Sequence, residues 1–316
     1  MEIYGSFGPA CGKSDILFEM IKSGMTGIRL NLSHTSLKEG EIWFQELKKA
    51  EERAGKKIRL LLDLVGGEIR TENKKTLCFQ EGQVLSFDQV GLPEKSKRYI
   101  EEGKMLFLDD GKILLESQKD NLFQVVRKGR LGPRKTVAFQ GKDIILEDLS
   151  DGDKESIKLA KKMGIHEFML PFTQSKEDVL LLRKYLWPSA KIFAKMENKK
   201  ALENIDAILP LVDVLVIARG DLGANLPLWR LPRIQKEVAR KCKEQGKDFM
   251  VVTELLHTMI ENPQPTRAEL SDIYNAFLDG ASYLMLTGET AIGKYPVLAI
   301  DYLKRTAEEA SEDECF

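Results

Sequence analysis

Short apolar runs alternate with amphipathic stretches along most of this 316-residue chain. Eight runs have the length and the apolar content of buried strands: Ile3–Phe7, Gly27–Leu30, Ile58–Asp63, Glu167–Leu170, Lys191–Lys195, Val214–Ala218, Phe249–Thr253 and Tyr283–Leu286. The stretches between them repeat apolar residues at helical spacing: a helix after Ser14 that stops near Gly24, then Leu37–Ala54, Asp153–Met163, Ser175–Leu186, Asn198–Leu209, Pro232–Gln245, Thr266–Leu278 and Pro296–Glu309. Strand followed by helix, repeated in this way, predicts an α/β fold of the (β/α)8 TIM barrel type. A doubly wound open sheet is the alternative, because alternation alone does not prove that the sheet closes.

The pattern changes after the third predicted strand, where short strand-like pieces follow one another between glycines. These pieces are TLCF, VLSFDQV, MLFLD, KILLES and LFQVV, and Asp110-Gly111 between the third and the fourth is a hairpin signal. We therefore predict a barrel domain of residues 1–70 and 140–316, with residues 71–139 forming a small inserted β-barrel-like domain. Because the insertion follows a barrel strand, we expect it to act as a lid over the catalytic face.

Composition limits the partners of the chain. Lys and Arg number 48 and Asp and Glu number 49, which gives a formal charge of −1. No overall field would attract nucleic acid or an anionic membrane, so we expect neither partner. The N-terminus has no export signal, and no run approaches the roughly 18 apolar residues of a membrane span, so we expect a cytoplasmic protein. The four cysteines form no Cys-x-x-Cys pair, which favours reduced thiols over a zinc site or a disulfide framework.

Polar or charged residues follow nearly every predicted strand, and in a barrel these strand ends meet at one mouth. The side chains concerned are the carboxylates Glu197 and Asp221, the cations Arg29, Arg70, Lys195 and Arg219, and the oxygen donors Asn31, Ser33 and Asp63. Two carboxylates suit Mg²⁺, the cations suit phosphate or carboxylate groups, and the oxygen donors suit a second, monovalent cation. The pattern indicates phosphoryl transfer or metal-enolate chemistry.

The tripeptide Arg219-Gly220-Asp221 directly follows an apolar run. An adhesion signal is one interpretation of it, but nothing in the sequence places the chain outside a cell. We predict instead that Arg219 holds the turn by pairing with a neighbouring carboxylate.

Longer runs carry a family resemblance. FGPA, GIRLNLSH, LLLDLVGGEIRT, LFLDDGKILLE, IFAKMENKKALENID, VLVIARGDLGANLP, ENPQPTRAELSDIYNAFLDG and YLMLTGETAIGKYPVLAI together resemble the pyruvate kinase family, from the first strand to the last helix. The resemblance implies phosphoryl transfer from phosphoenolpyruvate to ADP, giving pyruvate and ATP. It also implies Mg²⁺ or Mn²⁺ and K⁺ as cofactors.

The same resemblance assigns roles to individual residues. It implies Glu197 and Asp221 as ligands of Mg²⁺, Lys195 and Arg29 as contacts of the transferring phosphoryl group, and Gly220, Asp221 and Thr253 as holders of the substrate carboxylate. It implies Arg70, Lys135, Asn31 and His34 as nucleotide contacts, and Asn31, Ser33, Asp63 and the carbonyl of Leu64 as the K⁺ site. Thr253 is further implied, with water, in protonating the enolate. Glu68 stands where K⁺-dependent members carry glutamate, which favours a K⁺ requirement.

Some positions depart from the family's pattern. Gly67 replaces the usual proline, so we expect a looser hinge beside the inserted domain. The inserted domain is abbreviated, and the chain ends where the family continues into a C-terminal α/β domain, so we expect the usual allosteric sugar-phosphate site to be absent. Glu254 stands where the family usually has glutamine, Asn225 where it usually has glutamate and Thr287 where serine is common. Glu254 adds negative charge beside an anion site.

The sequence leaves the activity open between an active pyruvate kinase and two alternatives. One is a related protein that binds a phosphorylated or keto-acid ligand without catalysis, and the other is a Mg²⁺-enolate enzyme acting on another keto-acid. Retention of Lys195 favours an enzyme, since a binding protein has no need of a lysine at the transfer point. We also expect a homodimer formed through barrel helices.

Overall fold

The structure is a computed structural model that describes residues 1–67, 69–109, 111–142 and 145–313. Predictions that concern Glu68 and Asp110, and those that concern the side chain of Asn225, lie outside the described residues. The chain forms two compact units, one of residues 1–66 and 149–316 and the other Gly67–Asp148. The second unit begins before and ends after the predicted inserted domain of residues 71–139.

Strands and helices alternate through the first unit, whereas the second is mostly strands. The strands are β1 (Glu2–Ser6), β2 (Gly27–Asn31), β3 (Arg59–Asp63), β4 (Leu77–Phe79), β5 (Val84–Ser86), β6 (Met105–Leu108), β7 (Ile113–Ser117), β8 (Leu122–Arg127), β9 (Gly129–Leu131), β10 (Val137–Phe139), β11 (Glu167–Leu170), β12 (Lys191–Met196), β13 (Val214–Ala218), β14 (Asp248–Val252) and β15 (Tyr283–Met285). The α-helices are α1 (Ser14–Lys22), α2 (Glu41–Ala54), α3 (Phe87–Val90), α4 (Asp151–Met163), α5 (Lys176–Tyr185), α6 (Lys199–Glu203), α7 (Ile205–Ile208), α8 (Arg219–Asn225), α9 (Leu231–Glu244), α10 (Arg267–Leu278), α11 (Gly288–Ala291) and α12 (Pro296–Asp313). Across the described ranges, none of these helices combines the length and the apolar character that a membrane crossing requires.

The first unit is a closed barrel of parallel strands in the order β1-β15-β14-β13-β12-β11-β3-β2. β2 pairs with β1, so the sheet has closed on itself, and the predicted TIM barrel is confirmed over the open-sheet alternative. Large side chains fill the interior: Tyr4, Leu61, Met169, Phe193, Val214, Val216, Met250, Tyr283 and Met285. The buried polar end of Tyr4 is satisfied because its hydroxyl donates to Glu167 at 2.7 Å. Because side chains fill the barrel interior, a reaction site is expected at the ends of the strands.

Several predicted helices differ from the observed ones, and α12 continues to Asp313, beyond the predicted end at Glu309. The stretch Asn198–Leu209 is not one helix, because Asn204 adopts φ −101° and ψ 9° and separates α6 from α7. Its side chain donates to the carbonyl of Gln174 at 2.8 Å, a long-range contact that helical periodicity does not reveal. The helix predicted from Leu37 begins only at Glu41, since the preceding residues form turns.

The second unit contains a five-stranded antiparallel sheet, in the order β10-β6-β7-β8-β5, and the strand pair β4 and β9. The run VLSFDQV is not all strand as predicted: Ser86 caps the one-turn helix α3 by accepting from the Gln89 N–H, and Gln89 bonds back to the Ser86 N–H. The predicted hairpin is present between β6 and β7. The last residue pair before the turn is Leu108 with Ile113.

The chain leaves the barrel after β3 through a segment that is hydrogen-bonded to α4. The fully buried carboxylate of Asp153 accepts from the Val65 N–H at 2.9 Å and from the Gly66 N–H at 3.0 Å. Gly66 has φ +61°, and a side chain there would meet Pro171 at 2.7 Å, so only glycine fits. These contacts fix the residues just before Gly67, where a looser hinge was expected.

Candidate active site at the carboxyl ends of the barrel strands

The side chains of Arg29, Asp63 and Lys195 meet where β2, β3 and β12 end. One carboxylate oxygen of Asp63, Oδ2, accepts from Arg29 Nε at 2.9 Å and Nη2 at 2.5 Å, and lies 3.5 Å from Lys195 Nζ. The side chain of Asp63 is 2% exposed, and those of Arg29 and Lys195 are each 13% exposed. The structure therefore brings together three predicted site residues that lie far apart in the sequence.

Glu197, predicted as a metal ligand, lies beside the same lysine. Its Oε1 is 3.0 Å from Lys195 Nζ, and its Oε2 accepts from the backbone N–H of Phe172 at 2.6 Å. Phe172 adopts φ 51°, an uncommon conformation for a non-glycine residue, and this directs its N–H at the carboxylate. Glu197 is thereby held in place at the end of β12.

Burial and neighbouring charge shift the pKa values of this pair. Burial lowers the pKa of Lys195, but the negative charges of Asp63 and Glu197 outweigh burial and hold the pKa above its ordinary value. Burial, together with the charge of Asp221, raises the pKa of Glu197, while Lys195 acts in the opposite direction. Lys195 is thus a protonated cation at neutral pH, and Asp221 lies close enough to Glu197 for the two carboxylates to interact.

β13 is followed directly by α8, which begins at Arg219. The Gly220 N–H donates to Thr253 Oγ1 at 2.8 Å, which joins the ends of β13 and β14. Arg219 donates from Nη1 to Asp272 at 2.5 Å, so the prediction that this arginine pairs with a neighbouring carboxylate is confirmed. The tripeptide lies at the barrel rim, and Asp221 is half-buried there.

The oxygen donors predicted for a monovalent cation lie at the ends of β2 and β3. The Ser33 N–H donates to Asn31 Oδ1 at 3.0 Å, and Leu64 is buried next to Asp63. Within the described part of the chain, the buried Oδ1 of Asp63 accepts no hydrogen bond. Buried polar atoms normally have a partner, so an acceptor that lacks one fits a bound cation. His34, also predicted in this region, is exposed.

The remaining predicted nucleotide contacts belong to the second unit and not to the barrel. Arg70 pairs with Thr136 in an isolated antiparallel bridge and donates to the carbonyl of Arg134 at 2.8 Å. Lys135 Nζ lies 3.0 Å from Asp109 Oδ1. Arg70 and Lys135 thus come from two paired segments of this unit.

Phe172 and Asp272 were missed by the sequence analysis. Phe172 follows β11, a barrel strand with no charged residue at its carboxyl end, and it contributes through its backbone. The rule that every barrel strand ends at the same mouth could have drawn attention to it. Asp272 lies within α10, and nothing local in the sequence signals its contact with Arg219.

Among the described residues, no group of three or more His, Cys, Asp or Glu side chains could hold a metal ion. Mg²⁺ does not need such a group, because it usually takes only one or two protein carboxylates. Glu197 and Asp221 are two such carboxylates, and the charge of one raises the pKa of the other. A divalent cation between them would relieve that repulsion, so the donor set is suitable.

Known proteins resemble this chain along almost its whole length. Residues 1–300 match the family described as pyruvate kinase, barrel domain. The chain is 35% identical to the pyruvate kinase of Aeropyrum pernix over 98% of this chain and 70% of that protein. It is also 35% identical to the pyruvate kinase of Thermotoga maritima, over 98% of this chain and 71% of that protein. For the pyruvate kinase of Staphylococcus saprophyticus the identity is 35% over 99% of this chain, which spans 57% of the relative's length.

The match extends from the first barrel strand into the last helix, and the strand ends within it carry the charged cluster described above. On these grounds the chain belongs to the pyruvate kinase family of phosphotransferases.

Proposed function

We propose that this chain catalyses phosphoryl transfer from phosphoenolpyruvate to ADP, giving pyruvate and ATP, with Mg²⁺ and K⁺ as cofactors. The observation that carries the proposal is the position of Lys195, a nearly buried ammonium between the carboxylates of Glu197 and Asp63. A cation fixed in a site of low dielectric stabilises developing negative charge far better than one in water.

Lys195 and Arg29 bind the phosphoryl group that moves. Both donate toward Asp63 Oδ2, so their charges point at one small region of the barrel mouth. Neighbouring carboxylates hold the pKa of Lys195 above its ordinary value, so this side chain meets the substrate as a cation. It acts as a fixed positive charge and not as an acid or base.

The substrate carboxylate binds at the start of α8. Its donors are the backbone N–H groups of Gly220 and Asp221 and the hydroxyl of Thr253. To bind it, the Gly220 N–H and that hydroxyl exchange their present acceptors, Thr253 Oγ1 and the Val252 carbonyl, for the carboxylate. Gly220 is exposed, and its missing side chain leaves room beside Thr253 Oγ1. Arg70 and Lys135 are the nucleotide contacts proposed for the second unit, and Asn31 and His34 are those proposed for the barrel.

In the reaction, the bond between the phosphorus and the enol oxygen of phosphoenolpyruvate breaks, and an oxygen of the ADP β-phosphate forms the new bond. The enolate left behind takes a proton at carbon from water, and Thr253 orients that water. Glu197 and Asp221 would hold Mg²⁺, which when bound supplies positive charge beside the reacting atoms. Asn31, Ser33, Asp63 and the carbonyl of Leu64 would hold K⁺.

The test measures pyruvate formation from phosphoenolpyruvate and ADP with Mg²⁺, in KCl and in tetramethylammonium chloride of equal concentration. We expect turnover that requires K⁺ and that falls about 100- to 1,000-fold in Lys195→Met, the range for losing one fixed charge donor. Lys191→Met is the matched control, since Lys191 is exposed at the opposite end of the same strand. Absence of turnover by the wild-type chain would refute the activity, and turnover without K⁺ would refute the K⁺ site.

A further inference from the structure

Two consecutive non-glycine residues after β14 adopt left-handed backbone conformations. Thr253 has φ 73° and Glu254 has φ 55°. A β-branched residue such as threonine is disfavoured there, and each such residue costs on the order of 1–3 kcal/mol. Strain of this kind persists only where the surroundings hold the backbone in place.

Hydrogen bonds from one arginine hold this strained turn. Arg219 donates from Nε at 3.1 Å and from Nη2 at 2.6 Å to the carbonyl oxygen of Thr253. The Thr253 hydroxyl is fixed at the same time, since it accepts from Gly220 N–H at 2.8 Å and donates to the carbonyl of Val252 at 2.5 Å. Thr253 is thus held at its carbonyl by Arg219 and at its hydroxyl by Gly220 and Val252.

Arg219 is in turn fixed by a carboxylate on another helix. Its Nη1 donates to Asp272 Oδ2 at 2.5 Å, while Nε and Nη2 bind the Thr253 carbonyl. The side chain of Arg219 is 12% exposed and that of Asp272 is 34% exposed. With its three nitrogens engaged on two sides, the planar guanidinium has little freedom to rotate.

We propose that Asp272 is a positioning residue for the phosphoryl-transfer reaction: it fixes Arg219, and Arg219 holds Thr253 in the strained conformation that presents its hydroxyl to the substrate. The inference rests on the proposed function, which places Thr253 in the site. Without Asp272 the guanidinium can rotate, the Thr253 carbonyl loses its two donors, and the backbone relaxes toward negative φ. That relaxation turns Oγ1 away from Gly220. A displacement of about 1 Å at a reacting group can cost on the order of 100-fold in rate.

The experiment is a double-mutant cycle between Asp272→Ala and Thr253→Ala. We expect Asp272→Ala to lower kcat/KM for phosphoenolpyruvate about 10- to 100-fold, with KM for ADP within twofold of wild type. In the Thr253→Ala background, Asp272→Ala should lower kcat/KM less than threefold, because residue 253 then has no hydroxyl for Asp272 to position. Asp272→Asn keeps an oxygen acceptor for Arg219, so this variant should fold like wild type, and its kcat/KM should decrease less than that of Asp272→Ala.

Asp279→Asn is the matched control. Asp279 directly follows α10 and pairs with Lys236 at 2.7 Å instead of with Arg219, so its loss should leave kcat/KM within twofold of wild type. Equal losses from Asp272→Ala in both backgrounds would overturn the proposal, and so would an unchanged kcat/KM in that variant.

Calorimetric binding of phosphoenolpyruvate with Mg²⁺ separates this proposal from the proposed function. If the wild-type chain binds phosphoenolpyruvate but does not turn it over, the proposed function fails. The positioning role is then supported if Asp272→Ala weakens binding at least threefold in the wild-type background and less than twofold in the Thr253→Ala background. Equal weakening in both backgrounds would refute it, as would none in the wild-type background.

Discussion

Replacing Asp63 by asparagine removes a carboxylate that faces both Arg29 and Lys195. At 3.5 Å and an effective dielectric constant of about 20, the gross attraction between Asp63 and Lys195 is about 5 kcal/mol, most of which offsets the desolvation of the two ions. Removing one partner of a buried ion pair costs about 3–5 kcal/mol, because the other charge is left uncompensated. Asparagine keeps an oxygen acceptor and Lys195 keeps Glu197, so we expect Asp63→Asn to lower the free energy of unfolding by about 3 kcal/mol.

Urea unfolding followed by circular dichroism measures this loss. The control is Asp15→Asn: Asp15 pairs with Arg53 at 2.7 Å, but the side chains are 86% and 47% exposed, so the loss should be below about 1 kcal/mol. A loss from Asp63→Asn no larger than the control's would refute the electrostatic reasoning about the site.

The same variant tests the cation assignment without an activity assay. If Asp63 Oδ1 binds K⁺, then K⁺ at ten times its Kd should stabilise the wild-type chain by about 1.4 kcal/mol relative to tetramethylammonium at equal ionic strength. Asp63→Asn should abolish most of that difference. An equal K⁺ effect in both proteins would show that the cation binds elsewhere.

Gly220→Ala should leave the free energy of unfolding within about 0.5 kcal/mol of wild type, because the added methyl would lie an ordinary 3.6 Å from Thr253 Oγ1. It should weaken phosphoenolpyruvate binding at least tenfold, measured by calorimetry, and unchanged binding would argue against a carboxylate site there. Glu167→Gln should flatten the pH dependence of stability. Burial raises the pKa of Glu167, so the folded state binds the extra proton and wild-type stability falls as pH rises from the ordinary value through the raised pKa. The glutamine variant can still accept a hydrogen bond from Tyr4. Its free energy of unfolding, measured by urea titration, should increase relative to that of wild type from pH 4 to pH 8, and a relative decrease that grows with pH would contradict this. Ser86→Ala should lower the free energy of unfolding by about 1 kcal/mol through loss of the α3 cap, and no change would contradict the cap.

Much of the barrel could be predicted because its strands are continuous apolar runs with clear ends. Val214–Ala218 and Glu167–Leu170 have the predicted bounds, since charged or turn-forming residues adjoin both. Asn198–Leu209 was predicted as one helix because its periodicity continues through Asn204. The break depends on a hydrogen bond to a residue 30 positions away, which no local pattern records.

The charged members of the candidate site could be predicted for a geometric reason. Parallel barrel strands end at one mouth, so Arg29, Asp63 and Lys195 had to lie near one another once the sheet closed. Phe172 and Asp272 could not be found in this way. Phe172 acts through its backbone N–H, and its backbone conformation is unusual. Asp272 lies on a helix away from the strand ends and acts through the side chain of Arg219.

The most direct measurement is ³¹P NMR of wild-type chain incubated with phosphoenolpyruvate, ADP, Mg²⁺ and K⁺. It follows the fate of the phosphoryl group itself. We predict that phosphoenolpyruvate disappears as the γ-phosphate resonance of ATP appears in equal amount, and that Lys195→Met suppresses both changes. Inorganic phosphate appearing in place of ATP, or no change in phosphoenolpyruvate, would contradict the assignment of this barrel site to phosphoryl transfer.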